Sequence, residues 1–249
     1  MRNTRLCCFT FVALTALLLS ATTDVCDAAS QVISSGYYWI GRGGIFSPVT
    51  PPPDVPTAIA VAGGAGHSLA LLEDGTVVGW GDNTFGQRAV PAQLNGVVAI
   101  AAGDYHSLAL RADGSVVAWG DNSGGQTTVP SDLTNAVAIC AGDLHSVALR
   151  ADGTVTAWGD NGVGQTNVPY GLKNVVAISS ANVHSLALIA DGTVVAWGNN
   201  YYGECNVPAD LTNAVAIAAG GEHNVALTAD GRIVCWGDNS FGEASAPSN

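Results

Sequence analysis

The chain has 249 residues, 20 acidic against 8 basic, and a formal charge of −12 at pH 7. A surface this acidic is repelled by phosphate backbones and anionic lipid, which speaks against nucleic acid and membrane partners. Charged residues are nevertheless only 11% of the chain; that scarcity fits strands buried on both faces, with charge left to the loops.

In chain order, the first segment reads as a processing signal. Arg2 and Arg5 precede an apolar run at residues 6–19 that is too short to span a bilayer. Small residues allow cleavage after Ala28 or after Ser30. Residues 1–28 are therefore expected to be a secretory signal peptide, and the protein to be secreted, extracellular or periplasmic. Removing them takes Arg2, Arg5, Asp24 and Asp27 and leaves the charge at −12. No later segment is long and apolar enough for a membrane helix. Cys7, Cys8 and Cys26 leave with the signal. Cys140, Cys205 and Cys235 lack the spacing of a disulfide framework or a metal site and read as small buried side chains.

Residues 29–57 form an N-terminal segment. Within it Tyr38-Trp39-Ile40-Gly41, then Phe46 to Val49 and a proline run, read as the last two strands of a degenerate blade. Trp39 stands 41 residues before Trp80, nearly in register with the tryptophans further along the chain.

From residue 58 to 247 one unit is repeated five times: 58–91, 97–130, 136–169, 175–208 and 214–247. The step is 39 residues, kept by His67, His106, His145, His184 and His223 and by Trp80, Trp119, Trp158, Trp197 and Trp236. In the second unit four short strands are predicted, at residues 97–101, 106–110, 115–119 and 126–129. The first is a continuous apolar run suited to a strand covered on both sides. Asp113-Gly114 predicts a two-residue hairpin turn with positive φ at both positions. Asp121-Asn122 and Gly125 turn the chain again, and Pro130 ends the unit. Repeated four-stranded antiparallel units of this length predict an all-β fold, a β-propeller of five full blades plus a partial N-terminal one. That count leaves two outcomes open: a ring closed by five blades, or an arc that a second chain completes.

The segments Gly-x-x-His-Ser-Leu-Ala-Leu, Asp-Gly-Thr/Ser-Val, Trp-Gly-x-Asn and Gly-Gln recur in these units. Together they resemble the repeats of the regulator of chromosome condensation family across residues 58–247. The compact unit is similar to a short-repeat exported branch, which includes a β-lactamase inhibitory propeller protein. The resemblance implies a propeller, usually of seven blades in this family, that works by binding rather than by catalysis. The nuclear members act as guanine-nucleotide exchange factors and bind chromatin, roles that the export signal and the charge of −12 argue against. The ultraviolet-receptor branch carries Gly-Trp-Arg-His-Thr; here Gly103-Asp104-Tyr105-His106-Ser107 lacks both the Trp and the Arg.

The repeated residues are weak candidates for chemistry. A hydrolytic triad needs one nucleophile, one base and one acid converging at a single place, and copies spread over blades do not converge. The histidines read instead as structural groups whose rings bond neighbouring backbone, and the tryptophans as packing residues between blades. Asp-Asn pairs such as Asp82-Asn83 lack the spacing of a calcium loop and fit turn chemistry. No catalytic residue, metal or cofactor is expected.

What varies between units is more telling. The loops joining strands 1–2 and 3–4 share one end of each blade; the Asp-Gly turn and the connector share the other. The first set carries five of the nine Phe and Tyr residues that lie beyond the signal. Phe85, Tyr105, Tyr201, Tyr202 and Phe241, with Leu144, are candidate apolar anchors for a protein partner. Asp104, Asp143 and Glu222 would steer a basic partner toward them. The expected function is a secreted, non-catalytic binding propeller, an inhibitor of a secreted enzyme such as β-lactamase being its sharpest form. Two alternatives stand beside it. One is a lectin-like propeller with a sugar site at each repeated Trp and Asn. The other is a structural protein that oligomerises through exposed blade edges.

Overall fold

The computed structural model describes residues 37–40, 45–48 and 57–246. The expected signal peptide lies outside the described residues. Of the N-terminal segment, β1 (Tyr37–Ile40) and β2 (Ile45–Pro48) pair antiparallel, with Trp39 opposite Phe46.

The five repeats fold into five separate antiparallel sheets. Blade 1 is β3 (Ala58–Gly63), β4 (His67–Leu72) and β5 (Val77–Gly81); blade 2 is β6 (Val97–Ala102), β7 (His106–Arg111) and β8 (Val116–Gly120). Blade 3 is β9 (Ala136–Ala141), β10 (His145–Arg150) and β11 (Val155–Gly159). Blade 4 is β12 (Val175–Ala181), β13 (His184–Ile189) and β14 (Val194–Gly198), and blade 5 is β15 (Ala214–Ala219), β16 (His223–Thr228) and β17 (Ile233–Gly237). In every sheet the His-bearing strand is central.

Each blade thus has three strands, not the expected four. Residues 126–129 and their counterparts are turns, because their donors bond locally: Thr128 N–H reaches Gly125 O and Val129 N–H reaches Thr127 O. A second correction concerns the Asp-Gly hairpin. Gly114 N–H bonds Arg111 O, Arg111 N–H bonds Ser115 O, and only Gly114 has positive φ, at 81°. The loop therefore has three residues and ends in a left-handed glycine, which spares Asp113 the strain of positive φ.

The first strand also departs from the expected doubly covered run. In all five blades a bulge interrupts its pairing with the second strand; in blade 2 Val97 faces Arg111 while Ala99 faces Leu110. The extra residue is turned outward, as bulged residues are. Ile59, Val98, Val137, Val176 and Val215 are consequently 50 to 59% exposed.

The core lies between blades, in four apolar clusters that repeat the same joint. The cluster between blades 2 and 3 takes Ala101, Leu108, Leu110 and Val116 from the forward face of one. From the backward face of the next it takes Ala136, Ile139, Ala148 and Trp158, with Leu133 of the connector between them. The other three clusters use the matching positions of blades 1 and 2, 3 and 4, and 4 and 5. Burying each such leucine contributes roughly 1.5–3 kcal/mol, so no blade is stable without a neighbour. Successive first strands pack against one another, and so do each second strand and the next blade's first, so the blades converge along the bulged strand.

Candidate functional site

Four of the five repeated histidines, His67, His106, His145 and His184, are buried, and their Nε2 atoms meet side chains of the next blade. His67 Nε2 lies 2.9 Å from Ser107 Oγ, His106 3.0 Å from Ser146, and His145 2.9 Å from Ser185. Each histidine therefore reaches the residue after the next histidine. The serine spends its proton elsewhere: Ser107 Oγ donates to Gln87 O at 2.7 Å and Ser146 Oγ to Gln126 O at 2.9 Å. Nε2 must then be the protonated nitrogen. Blade 4 agrees, because His184 meets Asn224 Oδ1 at 2.8 Å, an atom that can only accept, while Asn224 Nδ2 donates to Glu204 O.

This polarity is opposite to that of a nucleophile and its base, since the imidazole donates to the hydroxyl. Burial is the main reason that His67 and His145 are held down to about 4 and His106 to about 3; these rings stay neutral at physiological pH. A close-packed glycine lies against the ring in four of the five repeats, Gly64, Gly103, Gly142 and Gly220; beside His184 the position is Ala181. A Cβ on Gly103 would stand 2.2 Å from His106 Cε1 and 2.3 Å from Gly142 O.

All five tryptophans are buried, Trp119, Trp158, Trp197 and Trp236 in these joints, where Trp158 and Trp197 donate to Gln126 O and Gln165 O at 2.9 and 3.0 Å. These four pack between blades as expected, and burial removes the stacking platform on which a sugar site depends. Burial pushes the Cys140 thiol up to about 12 and Cys205 to about 11, and Cys140, Cys205 and Cys235 are all free.

The two kinds of variable loop do share an end of the molecule. Asp121 N–H bonds Tyr105 O within blade 2, while at the other end Ala136 N–H bonds Gly114 O. Between blades, Ala65 N–H bonds Asp104 O and Asp143 N–H bonds Asn182 O, which ties neighbouring 1–2 loops together.

Each 3–4 loop is braced by a residue whose importance the sequence understated, the Gln or Glu after the repeated glycine. Gln87 is buried; its Nε2 donates to Asp82 at 2.8 Å and its Oε1 accepts Phe85 N–H at 2.9 Å. Glu204 accepts Tyr202 N–H at 2.9 Å and Glu243 accepts Phe241 N–H at 2.7 Å. The aromatic tips are thus carried on loops already fixed by internal bonds.

These braces differ in charge. Blades 1 to 3 pair an aspartate with a glutamine, and blade 4 inverts the pair to Asn199 and Glu204 at the same net charge. Blade 5 carries two acids, Asp238 and Glu243; Asp238 accepts Ser240 Oγ at 2.7 Å and Glu243 accepts Phe241 N–H. The brace of blade 5 therefore carries one acid more than the others. Glu222 is the leading cause of the raised pKa of Tyr202.

Four of the six expected anchors fall into two patches. Phe85 of blade 1 meets Tyr105 of blade 2 with ring centroids 5.4 Å apart, across a blade joint. Tyr201 and Tyr202 stack edge to face at 4.8 Å, with Glu222 of the next blade close enough to act on Tyr202. Tyr201 is 80% exposed and Phe241 95%. Leu144, Asp104 and Asp143 are half-buried, which leaves Glu222 the most accessible of the three steering acids. Tyr170, a fully exposed aromatic on a connector, was not among the expected anchors.

Bladed sheets joined through one repeated interface define a β-propeller repeat protein. Residues 58–87, 97–126, 136–165, 175–204 and 214–243 match the model of the regulator of chromosome condensation (RCC1) repeat, and the chain belongs to that family. Among solved structures it is similar to Prp20p of Saccharomyces cerevisiae, at 28% identity and a TM-score of 0.67 over 79% of this chain and 61% of that one. Prp20p was described with its binding to Gsp1p and histones. The chain is also similar to the ectodomain of the receptor kinase CR4 of Physcomitrella patens, at 28% identity and 0.64 over 75% of this chain. It spans about half of that ectodomain, 53%. Human WBSCR16, 21% identical with a TM-score of 0.62 over 76% of this chain and 66% of that one, shares the fold. No curated protein matches it in sequence.

Proposed function

We propose that the chain is an exported, non-catalytic propeller that binds another protein through its 1–2/3–4 loop end. The observation that carries this reading is the pair of braced aromatic patches, Phe85 with Tyr105 and Tyr201 with Tyr202 beside Glu222. Rigid aromatics lose little entropy on binding and supply large contact area, and an acidic rim favours a basic partner. That RCC1-repeat relatives such as Prp20p bind proteins is consistent with it. Inhibition of a secreted enzyme, β-lactamase in the sharpest form, is the version that places such a surface over an active-site cleft.

The test is affinity capture from culture medium with residues 29–249 as bait, with titration against a secreted β-lactamase in parallel. Replacing both Tyr201 and Tyr202 by Ala is expected to weaken binding of the captured partner roughly 30-fold, about 2 kcal/mol. Affinity unchanged in that variant and in one lacking Phe85 and Tyr105 refutes the loop-end site. Undiminished β-lactam hydrolysis refutes the inhibitor version alone.

A further inference from the structure

Four joints hold the five blades together, and all four use one set of positions. The forward face of each blade offers a histidine and three aliphatic residues: His106, Leu108, Leu110 and Val116 in blade 2. The backward face of the next offers a small first residue, an isoleucine and the serine or asparagine that the histidine meets. In blade 3 these are Ala136, Ile139 and Ser146. Among the described residues, the forward face of blade 5 and the first-strand side of blade 1 stay out of a joint. On blade 5 Leu227 is 41% exposed and Ile233 43%, where Leu110 is 3% and Val116 9%. His223 and Val225 of that face are partly exposed too. On blade 1 Val61 is 57% exposed, where Ile100 and Ile139 are 3%. Ala70 and Trp80 of that backward face are already buried, so what remains open on blade 1 runs along its first strand.

The two open faces are complementary halves of the joint seen four times within the chain. A contact between them in one molecule would bury Val61, Leu227 and Ile233, all of which are exposed. We propose that a second copy of the chain completes this joint, blade 5 of one molecule receiving the first-strand side of blade 1 of the next. The contact is heterologous: one face binds a different face, so it closes into a ring or extends, and it differs from a two-fold pairing of blade edges. It uses neither variable loop end and is independent of the proposed function.

The experiment measures molar mass by light scattering for the wild-type chain and for Leu227→Glu and Val61→Glu, over a range of concentrations. Both positions are exposed, and circular dichroism checks that each variant is folded; Ile233→Glu repeats the blade 5 test at an independent position. The wild type is expected to run at two or more chains and each variant at one. An equimolar mixture of Leu227→Glu and Val61→Glu is expected to give a two-chain species, because each variant supplies the face the other lacks. A wild type that stays at one chain at every concentration overturns the proposal. So does a Val61→Glu variant that still assembles, which would point to blade 5 pairing with blade 5.

Discussion

Tyr105 and His106 are neighbours in sequence and belong to two different regions of the molecule. His106 is sealed between blades 2 and 3, its ring on Gly103 and its Nε2 against Ser146. Tyr105 stands at the loop end against Phe85, on the solvent side. The histidine recurs in every repeat, whereas its neighbour is Gly66, Tyr105, Leu144, Val183 or Glu222. The joint fixes a residue because a neighbouring blade must fit it, and the loop end is released from that demand. Constancy at the joint therefore marks burial, and variation at the loop end marks the surface where recognition can be built.

Acid is the strongest way to break the joint while sparing the loops. Burial lowers the folded pKa of His67, His106 and His145 from an unfolded value near 6.5, so below that pH the unfolded chain takes up protons that the folded chain resists. The stabilisation is whole above pH 6.5. It is lost as pH falls toward 4, at about 3 kcal/mol each for His67 and His145, and toward 3 for His106, at about 5 kcal/mol. Urea midpoints measured from pH 7 down to pH 4 are expected to fall steeply, and a flat profile would remove the histidines from the stability of the joint. A smaller effect separates two copies of one residue. Leu110→Ala, in a joint, is expected to cost about 2–5 kcal/mol, and Leu227→Ala, on the open face, under about 1 kcal/mol in dilute protein. Equal losses would mean that blade 5 is covered in solution. The smallest effect belongs to the loop end: Tyr201→Ala is expected to shift stability by no more than about 0.5 kcal/mol in a thermal or urea melt. A larger loss would make that tyrosine part of the scaffold.

Much of the blade could be read directly. The 39-residue step, the alternation around His106 and the glycine punctuation placed three strands to within a residue of their observed bounds. The fourth strand failed because residues 126–129 have strand-like composition, while their hydrogen bonds are decided by the buried Gln126 and the glycine before it. The partner of His106 was hidden for a different reason. It is 40 residues away on another sheet, and only the packing of successive blades brings Ser146 to it. The outward row of Ile59, Val98, Val137, Val176 and Val215 was illegible because an apolar run carries no mark of a bulge. At the candidate site the choice of aromatics came from variation alone. That Phe85 lies against Tyr105, and that Asp104 and Asp143 sink halfway into the surface, depends on how neighbouring loops are tied.

The acceptor in these joints is a main-chain carbonyl. Gln126 O receives both Ser146 and Trp158, and Glu204 O receives Asn224 and Trp236 although the side chain at that position has changed. An interface read through the peptide backbone is indifferent to which copy supplies it. A gene segment encoding one whole 39-residue period could therefore be duplicated, deleted or exchanged between paralogues without any new contact having to evolve.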